Sequence, residues 1–301
     1  MRYTVVDLGS NTMRMSVYER NGSLRHIMSE KEMIGLIGYT TDGILSEDGI
    51  TRVSDVLRDF KETADAIGTD YFSCFATAGL RNIKNTEHAV GLIRERTGVD
   101  VAVISGEEEA RLDFIGAIGD CGLQAGLMAD MGGGSTELVR FEGRHICNST
   151  SLPFGSLFLF KKFVGEILPI RSELKDISKY VESQLENLEW LTGAGEHLCV
   201  IGGTARAAAR IHQELFENRL YELQGYTFAA DEFKKTLKTL TGLDKKCARV
   251  IARVAPERMH TILPGLAAFS QIVKYSGCKT VTVSRSGVRE GYLNEYMLKE
   301  G

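Results

Sequence analysis

One short pattern occurs twice in this chain and narrows its folds more than any other feature. An apolar strand ends in an aspartate, a glycine turn carrying hydroxyl side chains follows, and a second strand resumes. The first copy is YTVVD at 3–7, then Leu8-Gly9-Ser10-Asn11-Thr12, then the alternating run at 14–19. The second is GLMADM at 126–131, then Gly132-Gly133-Gly134-Ser135, then TELVRF at 136–141. Period-two alternation on either side of a glycine turn predicts a hairpin, and two such hairpins at the starts of two halves predict a repeated unit.

The elements after each hairpin extend the parallel. In the first half a strand near 23–30 is followed by a helix over 47–67, where Ile50, Val53, Leu57, Phe60 and Ala64 recur at spacings of three and four. A strand at 71–76, a helix at 86–97, a strand at 99–104 and a helix at 106–118 complete it. Three strands followed by alternating helix and strand is an RNase H-like order rather than a plain Rossmann repeat. In the second half a strand near 144–151 precedes helices at 155–164, 171–191 and 204–217, with a strand at 197–201 before the last. Helices at 230–255 and 257–275, a strand at 279–283 and a helix at 287–298 follow. The expectation is an α/β chain of two RNase H-like domains, 1–120 and 121–285, with 286–301 packing back on the first and an active-site cleft between them.

Charge and cysteine usage exclude several classes of function. Thirty-six Lys and Arg against 40 Asp and Glu give a net charge of −4, which argues against a globally basic nucleic-acid binder. The six cysteines, at 74, 121, 147, 199, 247 and 278, are never closer than 26 residues, so no zinc-type pairing is present and reduced core thiols are expected. MRYTVVDLGS lacks a basic region followed by a long apolar stretch, and no window approaches 18 apolar residues. A cytoplasmic protein without a membrane partner is expected.

The chemistry concentrates at the glycine turns. Glycine lets successive N–H groups converge on phosphate oxygens, hydroxyls add donors, and Asp7 or Asp130 can hold Mg²⁺ directly or through water. A lone D-x-G-S turn is ordinary hairpin chemistry; two at equivalent places read as a phosphate clamp. Ile201-Gly202-Gly203-Thr204 links a strand to a helix whose N–H groups can face an anion. In SGEEEAR, Ser105 and Glu108 have capping-box spacing, so acids here already serve the helix. Glu109 lies about 100° further round and is available as a water-activating base. Arg81 follows a strand end, where a guanidinium can take two phosphate oxygens or simply be solvated.

These residues resemble the exopolyphosphatase and guanosine pentaphosphate phosphatase (Ppx/GppA) family of the actin, Hsp70 and sugar-kinase superfamily. The likeness runs through DLGSNTMRM at 7–15, ATAGLRNIKN at 76–85, VISGEEEARL at 103–112, ADMGGGSTELV at 129–139, SLPFG at 151–155, VIGGTARA at 200–207, ILPGLA at 262–267 and SGVREGYL at 286–293. The resemblance implies that Glu109 is the catalytic base and that Arg81 binds phosphate. It gives the same phosphate-binding role to Gly9, Ser10, Asn11, Gly132, Gly133, Gly134 and Ser135, beside the turn Gly202, Gly203 and Thr204. Asp7 and Asp130 would arrange Mg²⁺, with Glu137 close to the metal or the water.

The implied activity is Mg²⁺-dependent removal of terminal phosphate from inorganic polyphosphate, favouring short chains because the chain has the short two-domain form. The alternatives are a 5′-phosphohydrolase acting on guanosine pentaphosphate (pppGpp), a non-catalytic polyphosphate or nucleotide binder, and an ADP-dependent phosphotransferase. A homodimer follows only from family similarity. Two departures from the family pattern stand out: Gly79 and Ile83, where small residues such as Ser or Ala are usual, which would loosen the Arg81 loop, and Ser156-Leu157-Phe158, where an arginine is usual two or three positions after SLPFG. Between 230 and 260, eight bases (Lys234, Lys235, Lys238, Lys245, Lys246, Arg249, Arg253, Arg258) face four acids. That is a solvated helix face or, on the minority reading, a landing strip for polyanion.

Overall fold

The computed structural model describes residues 1–217, 221–242 and 245–298, with the side chains of Asp120 and Lys245 outside the description. The chain forms two compact units. One comprises Met1–Leu112 with Arg289–Gly301, and the other comprises Asp113–Val288.

The first unit opens with β1 (Arg2–Leu8), β2 (Thr12–Asn21) and β3 (Ser23–Met33), a meander with a short ribbon, β4 (Thr40–Thr41) and β5 (Ile44–Leu45), after it. Then come α1 (Glu47–Ile67), β6 (Tyr71–Ala76), the single turn α2 (Ala78–Arg81), α3 (Thr86–Thr97), β7 (Val101–Val103) and α4 (Gly106–Cys121). The sheet order is β3-β2-β1-β6-β7, antiparallel through the meander and parallel from β1 to β7. Both ends of α1 are fixed locally. The Ser46 hydroxyl accepts from the Gly49 N–H, and Gly68 at φ 72° closes the helix with its N–H on Ala64 and Asp65 carbonyls. The apolar stripe foreseen on α1 is buried against Val6, Leu8, Met13, Met15 and Cys74.

The second unit repeats the plan. β8 (Ala125–Met131), β9 (Thr136–Glu142) and β10 (His145–Leu152) form the meander, followed by α5 (Ser156–Phe163), α6 (Arg171–Leu185), β11 (His197–Ile201) and α7 (Gly202–His212). Then follow β12 (Thr227–Ala229), α8 (Glu232–Gly242), α9 (Lys245–Val254), α10 (Ile262–Ser276) and β13 (Thr280–Val283). The order β10-β9-β8-β11-β13 matches that of the first sheet, with β12 added antiparallel at the β13 edge. Its core joins the sheet to α6, α7, α8 and α10 through Leu127, Ile177, Ala208, Phe233 and Phe269.

Several expectations are corrected. β12 carries no alternating run long enough to signal a strand, and it forms because Thr227–Ala229 finds the free edge of β13. The helix expected over 230–255 is two helices, α8 and α9. The helix expected over 257–275 begins at Ile262, after a 3-10 turn at Pro256–Arg258. Helix 171–191 ends at Leu185 and gives way to a 3-10 turn at Glu189–Leu191.

The chain returns to the first unit through α11 (Val288–Tyr292) and a π-turn, Leu293–Met297. The Tyr18 hydroxyl donates to Glu290 Oε1 at 2.5 Å, Tyr292 OH lies 3.0 Å from Ser73 Oγ, and the Tyr292 ring stacks on Phe75. Gly291 packs so closely on the Leu112 carbonyl that a Cβ would overlap it.

Candidate functional site

In the first unit β1 ends at Leu8, and the turn Gly9-Ser10-Asn11 is closed by a Gly9 N–H to Thr12 carbonyl bond of 3.0 Å. The Asn11 carbonyl accepts from the Ile34 and Gly35 N–H groups, which ties the turn to the end of β3. Gly79 does not loosen its loop. A Cβ there would stand 2.8 Å from the Gly9 carbonyl oxygen and 3.0 Å from Ser10 N, so glycine is what lets the Arg81 segment lie against the turn.

Asp7 is half-buried. Loss of solvation raises its pKa, while the positive charges of Arg289 and Arg14 act in the opposite direction. Asp7 and Arg14 are cross-strand partners in the β1–β2 register.

Arg81 and Glu109 meet. Arg81 Nη1 donates to Glu109 Oε2 at 2.6 Å and to the Ile104 carbonyl at 3.3 Å, and the two side chains are only 17% and 9% exposed. A charge-assisted bond of this length, largely shielded from water, fixes both orientations.

The capping box foreseen at Ser105 is only half formed. Ser105 Oγ accepts from the Glu108 N–H at 3.1 Å, but the Glu108 carboxylate takes Arg111 Nε and Nη2, at 2.8 and 2.9 Å, and the Tyr296 hydroxyl. Those partners hold its pKa below the ordinary carboxylate value.

In the second unit Asp130 and Glu137 are cross-strand partners at the end of the β8–β9 hairpin. Glu137 is buried and accepts from Ser151 Oγ at 2.7 Å. The Gly132-Gly133-Gly134-Ser135 turn is closed by Gly132 N–H to the Ser135 carbonyl, and SLPFG packs directly on it. Ser156 N–H donates to the Gly132 carbonyl, and Leu157 and Phe158 N–H donate to that of Gly133. Ser156 thus anchors the loop, and its hydroxyl also accepts from Thr204 Oγ1 at 3.1 Å.

Gly202 has φ 84°, a left-handed conformation favouring glycine, and a Cβ there would overlap Asp130 Oδ1. The third turn and the second are therefore in contact.

Arg258 belongs by sequence to the basic stretch at 230–260, yet it is half-buried, with Nη2 lying where a Cβ on Gly203 would be. Burial lowers its pKa, opposed by the negative charges of Glu257 and Asp130. No sequence pattern marks it out, because its relation to Gly203 exists only in the fold. Of the other bases in that stretch, Lys235 pairs with Glu232 and Arg253 with Glu214, while the Lys245 side chain falls outside the described residues.

The carboxylates can be weighed as a Mg²⁺ site. Among the described residues no group of three or more His, Cys, Asp or Glu side chains could hold a metal ion. Asp130 and Glu137 offer hard oxygen donors from one hairpin, which suits an ion that uses one or two carboxylates and completes its shell with water and substrate phosphate. Around Asp7 the neighbouring positive charge comes from Arg289 and Arg14.

A family model described as the Ppx/GppA phosphatase family matches residues 17–300. The chain belongs to this family. An uncharacterised protein of Streptomyces coelicolor is 28% identical, over 97% of this chain and 89% of that protein. Exopolyphosphatase 1 of Mycobacterium tuberculosis is 28% identical over 62% of this chain, so the match spans only 55% of that relative. The crystal structure of the Aquifex aeolicus Ppx/GppA family member is similar with a TM-score of 0.82 and 26% identity, over 100% of this chain and 99% of that one. The repeated β3-β2-β1-β6-β7 order is thus the actin-like plan of Ppx/GppA proteins. No described helix is long and apolar enough to cross a membrane.

Proposed function

We propose that this Ppx/GppA phosphatase is a Mg²⁺-dependent exopolyphosphatase that releases terminal orthophosphate from inorganic polyphosphate and favours short chains. The observation that carries the reading is the Arg81–Glu109 pair, a buried carboxylate bonded to a half-buried guanidinium. It sets a guanidinium suited to phosphate oxygens against a carboxylate suited to take a proton from water.

On this reading Arg81 turns to the terminal phosphate and neutralises the charge that develops as the anhydride bond breaks. Glu109 then accepts the proton of the attacking water. The turns Gly9-Ser10-Asn11, Gly132-Gly133-Gly134-Ser135 and Gly202-Gly203-Thr204 receive phosphate oxygens, Gly9 and Gly132 serving to close their turns rather than to donate, with the Ser10 and Ser135 hydroxyls available as further donors. Asp130 and Glu137, with Asp7, would hold the ion, which when bound supplies positive charge to phosphate oxygens. The name of the mycobacterial relative supports polyphosphate as substrate.

The test is orthophosphate release with Mg²⁺ from short polyphosphate, long polyphosphate and pppGpp, by wild type and Glu109→Gln. Release from short polyphosphate that is lost in the variant, while the variant still binds substrate by calorimetry, is the expected result. Saturation by pppGpp at far lower concentration would replace polyphosphate with the pentaphosphate as substrate. Silence of folded wild type on all three would overturn the hydrolase and favour a binder or a phosphotransferase to ADP.

A further inference from the structure

Cys121 and Cys199 stand 78 residues apart in sequence, yet their sulfurs lie 3.2 Å from each other within the second unit. Cys121 closes α4 and is partly exposed, while Cys199 is buried in the middle of β11. Of the other thiols, Cys74, Cys247 and Cys278 are buried and Cys147 is exposed on β10. We infer that Cys121 and Cys199 form an oxidisable dithiol, a modification site at which a hydroperoxide closes a disulfide between α4 and β11.

The geometry requires little movement. A disulfide brings its sulfurs to about 2.05 Å, so the two atoms need to approach by roughly 1.2 Å. Access and acidity set the order of events. The hydrogen bond with Cys121 and burial both push the Cys199 thiol up, and nearby Asp113 adds to this, so Cys199 stays protonated at rest.

Cys121, the accessible member, reacts first. Its thiol loses a proton and the thiolate attacks one oxygen of hydrogen peroxide; the O–O bond breaks, the attacked oxygen stays on Cys121 as a sulfenic acid, and the departing hydroxide takes up the released proton as water. Cys199 then loses its proton and attacks the Cys121 sulfur. The S–O bond breaks, the hydroxide takes up the proton and leaves as a second water, and the S–S bond forms. Two thiols have given up two electrons, and the hydroperoxide has accepted them.

The position of Cys199 gives the bond a consequence. β11 runs parallel to β8 in a register that sets Cys199 beside Met128 and Ile201 beside Asp130, and it ends at Ile201, directly before Gly202. Gly202 already approaches Asp130 Oδ1 with no space for a Cβ. A shift of β11 is therefore transmitted to the glycine turn at 202–204.

The experiment uses the full chain carrying Cys147→Ser, which removes the exposed thiol and leaves five cysteines. After exposure to hydrogen peroxide and quenching, the thiols titrated in denaturant should fall from five to three. Peptides containing Cys121 and Cys199 should be linked, and dithiothreitol should restore five. Adding Cys121→Ser, at the partly exposed member, should abolish the link. Backbone hydrogen exchange over 199–205 should change on oxidation only when both cysteines are present. Five thiols remaining, a link between other cysteines, or over-oxidation of Cys121 without a link would each overturn the assignment. Exchange unaffected by a formed disulfide would overturn its transmission to the turn.

Discussion

Replacing Gly155 by alanine tests whether the glycine loop of the second unit is held by direct backbone packing. Gly155 has φ −140° and ψ 179°, an extended conformation open to any residue, so the substitution is judged on space alone. An added Cβ would lie 2.5 Å from the Gly133 carbonyl carbon, 2.6 Å from the Gly132 oxygen and 2.7 Å from the Gly133 oxygen. Carbon contacts normally begin near 3.5 Å, so the overlap is about 1 Å against atoms with no rotamer to escape into.

Relief requires the two segments to separate, which weakens the bonds from the Ser156, Leu157 and Phe158 N–H groups to Gly132 and Gly133. Overpacking at about 1–3 kcal/mol and one lost hydrogen bond near 1 kcal/mol together predict a loss of about 3 kcal/mol. The measurement is the urea midpoint at constant m-value, with Gly91→Ala as reference. Gly91 lies in α3 with open space around its Cβ position, so alanine there should stabilise by about 0.5–1 kcal/mol. Displacing the loop by about 1 Å should also reduce orthophosphate release by roughly 10²-fold. A Gly155→Ala protein with the wild-type midpoint and activity would refute the reasoning.

Gly202→Ala combines a left-handed backbone with overlap on Asp130, so it should cost more than Gly155→Ala in the same urea assay; an equal or smaller loss would count against the contact between the second and third turns. Tyr18→Phe removes a charge-assisted bond to Glu290 and should lower stability by about 1.5–3 kcal/mol; an unchanged midpoint would show that the bond contributes nothing. Burial lowers the pKa of His212, partly offset by Glu232. The unfolded chain therefore takes up this proton near pH 6.5 while the folded one does not, so stability should be constant above that pH and fall as pH drops toward the lowered value. NMR titration of the His212 imidazole at or above pH 6.5 would contradict this.

The parts of the molecule that follow from local chemistry were legible in the sequence. The two hairpins, the capped helix at 47–67 and the strand at 197–201 all rest on periodicity and turn residues within about 20 positions. What escaped depends on meeting across the chain. Thr227–Ala229 becomes a strand only beside β13, and Arg258 counts as a surface base until Gly203 is placed against it. The role of Gly79 is hidden for the same reason, since its partner is the turn at Gly9, 70 residues earlier. At the candidate site, the residue types of Glu109 and Arg81 suggested their chemistry. Their 2.6 Å pairing could not be read from positions 28 apart.

The return of the chain to its first unit bears on how the protein is made. Residues 1–112 are synthesised first, but their fold is completed by Glu290 on Tyr18, Tyr292 on Phe75 and Gly291 on Leu112. All of Asp113–Val288 must be translated before those residues leave the ribosome. Domains that occupy one continuous stretch can finish folding in the order of synthesis. Here the second unit has all its residues outside the ribosome before the first does, and the earliest-made strands wait for their last neighbours.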